Sequence, residues 1–221
     1  MAMGKMISEI SHDLKRPLTN IKGSLQIMAQ RWPQITENDD FFETAEQELS
    51  RLNELVLELV DFSNPKKYLM EQKKISEVIL RVYRLVENDL KKKSINFLQE
   101  FEDDLANVMI NENEIVEVLL NLILNAIDAM PEGGTLAIKA IKEIDKNSHK
   151  PFVKLLISDS GIGIPPENHN KIYDRYFTTK ETGTGLGLAI CDRIIMAHNG
   201  RLDFESVQNQ GTTFRILLPS V

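Results

Sequence analysis

Asn113-Glu114-Ile115-Val116-Glu117-Val118-Leu119-Leu120-Asn121-Leu122-Ile123-Leu124-Asn125-Ala126-Ile127-Asp128-Ala129-Met130 repeats its apolar side chains at helical spacing. Ile115, Leu119, Leu122, Ala126 and Ala129 fall on one face, as a period of 3.6 residues requires of an amphipathic helix. Glu114, Glu117, Asn121, Asn125 and Asp128 fall on another. An ordinary wet face carries Lys and Glu. Asparagine is a modest helix former, so two asparagines among leucines need a reason. Their side-chain carbonyl oxygens are hard donors of the kind Mg2+ takes together with waters and phosphate oxygens. Asn121 and Asn125 are therefore the candidate metal ligands, with Asp128 beside them.

The flanking sequence supplies a domain around this helix. Pro131 and Gly133-Gly134 stop it, giving a helix over 112–130. Before it, the pattern predicts a helix at 76–91 and short strands at 95–101 and 106–110. After it come strands at 134–142 and 152–158 and a helix at 186–198 closed by Asn199-Gly200. Strands at 201–206 and 212–218 end the chain. Helices and strands do not alternate strictly, which points to an α+β sandwich with helices on one face of a mixed sheet.

Two glycine-bearing stretches in this region suit a nucleotide. Asp159-Ser160-Gly161-Ile162-Gly163-Ile164-Pro165 follows a strand-like run. A carboxylate at a strand end can accept a hydrogen bond from an adenine amine, and Gly161 and Gly163 permit close backbone approach to a flat base. Tyr173 to Leu188 contains Gly183, Gly185 and Gly187 leading directly into a helix. Such a turn presents backbone N–H groups and the positive helix end to phosphates. Lys180 and the threonine hydroxyls add donors, and 165–185 reads as a mobile lid. Either motif alone is a common turn; their order after the asparagine helix is what makes them informative.

The N-terminal third reads as a helical hairpin. Ile7, Leu14, Ile21 and Met28 recur every seven residues, widened by Ile10, Leu18 and Leu25. Trp32-Pro33 ends that helix. Phe42, Ala45, Leu49, Leu52, Val56 and Leu59 form a second stripe with 3-4 spacing. Two helices bury two such stripes poorly, whereas two hairpins bury them in a four-helix bundle. A homodimer follows. Turn residues at 63–67 place a domain boundary there, with 1–64 as the hairpin and 65–221 as the sandwich. His12 lies on the first helix, roughly 160° from its apolar stripe at about 100° per residue. It is thus on the wet face, with Asp13 next to it to orient the imidazole or take its proton. His149, His169 and His198 lack such a setting and read as solvated or capping residues.

A net charge of −7 repels nucleic acid and anionic membrane, and also nucleotide, so a nucleotide site must rely on local donors and a metal. No apolar run reaches the ~20 residues of a membrane helix, and no membrane contact is expected of this fragment. The single cysteine, Cys191, forms no internal disulfide, which suits a reducing, cytoplasmic setting. The opening Met1-Ala2-Met3-Gly4 resembles an added translation start, with sequence upstream of it expected and a membrane anchor plausible there.

Together these residues resemble the sensor histidine kinases of bacterial two-component systems, over nearly the whole chain. His12 to Leu18 resembles the phosphoacceptor box. Asn121 and Asn125 resemble the N box, and Asp159 to Gly163 the first glycine box. Tyr176-Phe177 resembles the F box, and Gly183-Thr184-Gly185-Leu186-Gly187-Leu188 the second glycine box. The resemblance implies a dimeric phosphotransfer bundle followed by a Bergerat (GHKL) ATP-binding sandwich. It implies ATP and Mg2+ as cofactors, with Asn125 holding the metal, Asn121 assisting, Asp159 reading adenine and Lys180 approaching the phosphates. It implies as partners a second copy of the chain and a response-regulator receiver domain, with an inhibitory protein on the hairpin as a further candidate. One departure is Arg16, where the family often has Asn or Thr four residues after the histidine; weak or absent phosphatase activity toward the regulator is implied. Related ATPases place a water-activating glutamate one turn before the metal asparagine. Here Asn121 stands there, and an amide is a poor base. An ATPase and a catalytically silent ATP-binding scaffold are the alternatives.

Overall fold

Ile75, Val78, Ile79, Val82, Val86 and Leu90 occupy one buried face of helix α1 (Ile75–Lys92). The face recurs at three- and four-residue steps, so the helix forms where its stripe can leave water; each fully buried side chain of this size contributes about 1.5–3 kcal/mol. Helix α2 (Glu112–Ala129) starts at Asn111, whose side-chain oxygen accepts from the backbone N–H groups of Asn113 and Glu114. Helix α3 (Gly187–Ala197) buries Cys191, Ile194 and Ile195 and ends with Asn199 at φ 54°, the left-handed stop that Asn tolerates.

The computed structural model describes residues 69–144, 150–180 and 185–221, and within the first 68 residues 17, 18, 20, 21, 23–25, 27–29, 31, 32, 42, 44, 45, 48, 49 and 52. The chain divides into two compact units, Met1–Tyr68 and Leu69–Val221. The first contributes only helical residues among those described, up to Arg31 and again from Phe42 to Leu52, with Trp32 outside the helix. Ile21, Met28 and Leu52, all from the two apolar stripes, stay 43–49% exposed in the single chain, while Leu49 is buried. His12, Asp13, Arg16, Gly183, Thr184, His149 and the 63–67 turn lie outside the described residues.

In the second unit, β2 (Ile95–Phe101), β4 (Gly134–Ile144), β5 (Pro151–Asp159), β7 (Gly211–Pro219) and β6 (Arg201–Val207) form a five-stranded sheet in the order β2-β4-β5-β7-β6. Only β2 and β4 are parallel. Leu136, Ile138, Leu155, Ile157, Ile216 and Leu218 bury one face of this sheet in the same core as the three helices. The expected sandwich with helices and a mixed sheet is therefore present. On the edge strand β6, Arg201, Asp203 and Glu205 are exposed, and Arg215 of β7 donates to both Asp203 and Glu205.

The strand β1 (Glu71–Lys73) was not expected. It pairs antiparallel with β3 (Val108–Ile110) through its backbone, and Glu-Gln-Lys carries no apolar alternation to announce it. The 165–185 stretch also differs from a free lid. A 3-10 turn (Pro166–Asn168) leads to Ile172, which is buried, and to Tyr173 and His169, which meet Phe204 edge-on. Apolar anchoring on β6 fixes this first half. His169 and His198 are both capping residues and neither is fully solvated. His198 is 2% exposed; its Nδ1–H donates to Ile194 O at 2.8 Å and its Nε2 accepts from Asn111 N at 3.0 Å, tying the end of α3 to the start of α2.

Cys191 is fully buried, its Sγ 3.8 Å from Val118 O. Desolvation, with the Glu117 carboxylate adding to it, pushes its thiol up to about 12. Roughly one thiol in ten thousand is then ionised at pH 8, and the thiolate is the reactive form. Iodoacetamide at pH 8 should leave native Cys191 unmodified and label it only as fast as the domain opens; mass spectrometry with and without urea checks this.

Candidate nucleotide site

The polar face of α2, the loop after β5, the anchored 162–180 segment and the first turn of α3 enclose a cleft of about 430 Å3. Its two ends differ chemically. At one end is Asp159, the last residue of β5. Its Oδ1 accepts from Gly161 N at 2.9 Å and from Thr212 N at 3.3 Å, so both described bonds use one oxygen and the other is free to receive a donor. Burial raises the Asp159 carboxyl above its usual range, and the two N–H bonds offset only part of that.

Thr212 enters the site because β5 and β7 pair Asp159 with Thr212. It is 6% exposed, and its Oγ1 lies 2.9 Å from Ser206 Oγ. Ser206 Oγ in turn accepts from Ile164 N at 2.8 Å, which fastens the loop after β5 to the end of β6. A Cβ at Gly161 would stand 2.5 Å from Ala129 O, and one at Gly163, where φ is +65°, only 2.2 Å from Val207 O. Both glycines are thus demanded by the protein's own close packing. The expectation that they make room for a base is not needed to explain them.

At the other end lie the oxygens of α2. Asn125 Oδ1 and Asp128 Oδ2 each receive a 2.8 Å hydrogen bond from Lys180 Nζ. Asn121 faces α3: its Oδ1 is 3.0 Å from where a Cβ on Gly187 would sit. Gly187 therefore allows the first turn of α3 to press on the asparagine helix. Between the ends, Ile172, Phe177 and Phe214 supply apolar walls.

Of the residues singled out from sequence, Asn121, Asn125, Asp128, Asp159, Gly163, Phe177, Lys180, Gly185 and Gly187 line the cleft. Gly161, Tyr176 and Leu186 do not line it. Gly161 instead holds Asp159. Tyr176 is 41% exposed with φ 67°, a left-handed conformation that costs a bulky residue energy, and its N–H donates to Gly185 O at 3.0 Å. That bond joins the two ends of 177–184. Thr212 is a lining residue that sequence reasoning missed. The Gly211-Thr212 pair heads a strand that was expected, but nothing in the order of residues says which strand it pairs with.

Two family models match the chain. The His Kinase A (phospho-acceptor) domain matches residues 2–67, and the histidine kinase-, DNA gyrase B-, and HSP90-like ATPase matches residues 110–221. The sensor histidine kinase ZraS of Salmonella typhimurium is 33% identical over 221 residues, covering 100% of this chain and 46% of that protein. Sporulation kinase A of Bacillus subtilis is 35% identical, covering 98% of this chain and 34% of that protein. The chain thus spans less than half the length of these relatives. The solved catalytic domain of histidine kinase ThkA superposes on 68% of this chain and 95% of its own length, with a TM-score of 0.60 and 35% identity. A phospho-acceptor helical region ahead of an ATPase-type sandwich with this cleft places the chain in the family of bacterial two-component sensor histidine kinases.

Proposed function

We propose that this chain is an autokinase core that binds Mg-ATP in the cleft and transfers the γ-phosphoryl group to His12. The observation that supports it best is the cleft's polarity, with a partly buried carboxylate at one end and hard oxygens beside a lysine at the other. Asp159 accepts from the adenine amine through its free oxygen, and the apolar walls take the flat base. Gly185, Gly187 and the start of α3 receive the phosphates, with Thr184 and Gly183 adding donors.

The donor set fits Mg2+. Asn125 and Asp128 supply oxygens only, and an ammonium already rests on them, which supports a cation site. Mg2+ there would neutralise phosphate oxygens, with Asn125 as its protein ligand and Asn121 assisting. His12, with Asp13 orienting its ring or taking its proton, forms the N–P bond as the bond to the β-phosphate oxygen breaks and ADP leaves. An aspartate of a response-regulator receiver domain then takes the phosphoryl group. Residues 1–64 serve as the phosphotransfer hairpin and 65–221 as the catalytic domain. Exposure of Ile21, Met28 and Leu52 supports a homodimer, since a second hairpin would cover them. No described helix is long and apolar enough to cross a membrane. A single cysteine, which suits a reducing compartment, supports placing this core in the cytoplasm.

Incubation with γ-32P-ATP and Mg2+ tests the reading: acid-labile, base-stable label on the chain is expected. Phosphate release without label would make it an ATPase instead, and neither label nor release a scaffold.

Asp159 adds a pH dependence. Its carboxyl is raised, so it protonates at a pH above the ordinary value of about 3.9. Adenine needs the ionised form, so affinity for a fluorescent ATP analogue should fall as pH drops toward that raised value. Asp159→Asn, whose amide presents a donor to a donor, should bind about 100-fold more weakly and lose this pH dependence. For folding the sign reverses: the stability associated with this group is complete below its unfolded value and is lost as pH rises through the raised one.

A further inference from the structure

Lys180 Nζ is 2.8 Å from Asn125 Oδ1 and 2.8 Å from Asp128 Oδ2. A second ammonium, Lys93 Nζ, stands 3.7 Å from the other Asp128 oxygen and donates to Ile127 O at 3.3 Å. Asp128 is therefore neutralised from two sides, and the Asn125 oxygen is held by Lys180. That amide oxygen is the atom the Mg-ATP reading gives to the metal. We propose that Lys180 is a surrogate cation, a positioning residue that holds Asn125 Oδ1 facing the cleft and opposes any metal that arrives without nucleotide.

This inference rests on the Mg-ATP reading and goes beyond it. An ammonium at 2.8 Å and a dication at the ~2.1 Å of a Mg–O bond cannot share one amide oxygen without strong like-charge repulsion. A bare metal ion must displace Lys180 and brings nothing to receive it. Mg-ATP displaces it and offers phosphate oxygens to the freed ammonium, which remains within reach of the same helix face. One residue thus acts with opposite sign on two ligands: it weakens binding of the free metal and strengthens binding of the metal–nucleotide complex. The site then selects the complex over the ion. Lys180 and Asp128 are 42% and 51% exposed, so the contact is a screened one and its effect on metal affinity is moderate.

The decisive comparison is Lys180→Met against the unmodified full chain, with Mn2+ as the probe. Free Mn2+ is followed by electron paramagnetic resonance without nucleotide. Lys180→Met should bind Mn2+ roughly three- to tenfold more tightly. By calorimetry it should bind a nonhydrolysable ATP analogue with Mg2+ about tenfold more weakly. The gain in Mn2+ affinity should disappear in the Asn125→Ala background. Equal or weaker Mn2+ binding by Lys180→Met overturns the proposal, as does a gain that survives Asn125→Ala, because that gain would come only from removing a positive charge. Failure of the unmodified chain to bind Mg-nucleotide would instead overturn the underlying reading, a separate result read in the calorimeter.

Discussion

Replacing His12 with Gln should reduce covalent 32P incorporation from γ-labelled ATP to background, with nucleotide affinity unchanged within about twofold. The first effect follows from chemistry. Glutamine keeps a polar side chain of similar reach, but its amide nitrogen has no free lone pair to attack phosphorus, whereas neutral imidazole does. The second follows from organisation. His12 belongs to the Met1–Tyr68 unit, and every residue described around the cleft belongs to Leu69–Val221. A loss of label together with a loss of nucleotide binding would mean that His12 acts on folding or on the cleft, and would remove it as the phosphate acceptor. Autoradiography and titration of a fluorescent ATP analogue give the two readouts.

The second large effect is expected at Asn125. Asn125→Ala should lower autophosphorylation about 100- to 1000-fold, the range for removing one preorganised group that stabilises developing charge. The residue lies on a helix whose apolar side is fully engaged in the core, and its own side chain is only half-buried. The fold should therefore survive, with a thermal midpoint close to that of the parent. Raising Mg2+ should recover part of the rate if the defect is metal affinity. A variant that labels at the parental rate would transfer the metal assignment to Asn121 and Asp128.

The elements with strong periodicity were legible in the order of residues. Helix α2, helix α1 and strands β4, β5 and β7 each bury a continuous stripe, and their observed ends fall within two residues of the expected ones. What escaped was set by tertiary pairing. The β1 strand exists only because β3 lies beside it. The anchoring of Tyr173 depends on Phe204, which lies on a strand 31 residues later. His198 looks like a surface residue next to Asn199-Gly200, yet it is buried because the backbone N–H of Asn111, 87 residues away, needs an acceptor. At the site, the residue types carried their own meaning: an acid at a strand end, amides on a helix, glycines before a helix. Thr212 carried none, since it contributes through a backbone N–H, and any residue type but proline has that.

Strand β6 ends the sheet with Arg201, Asp203 and Glu205 alternating along its solvent side, the two acids gathered by Arg215 from the next strand. A newcomer hydrogen-bonding along that border would have to strip water from several ionised groups at once, with little greasy surface gained in exchange. The sheet thus resists growth from copy to copy, and molecules of this chain can be crowded together without seeding fibrils from that side.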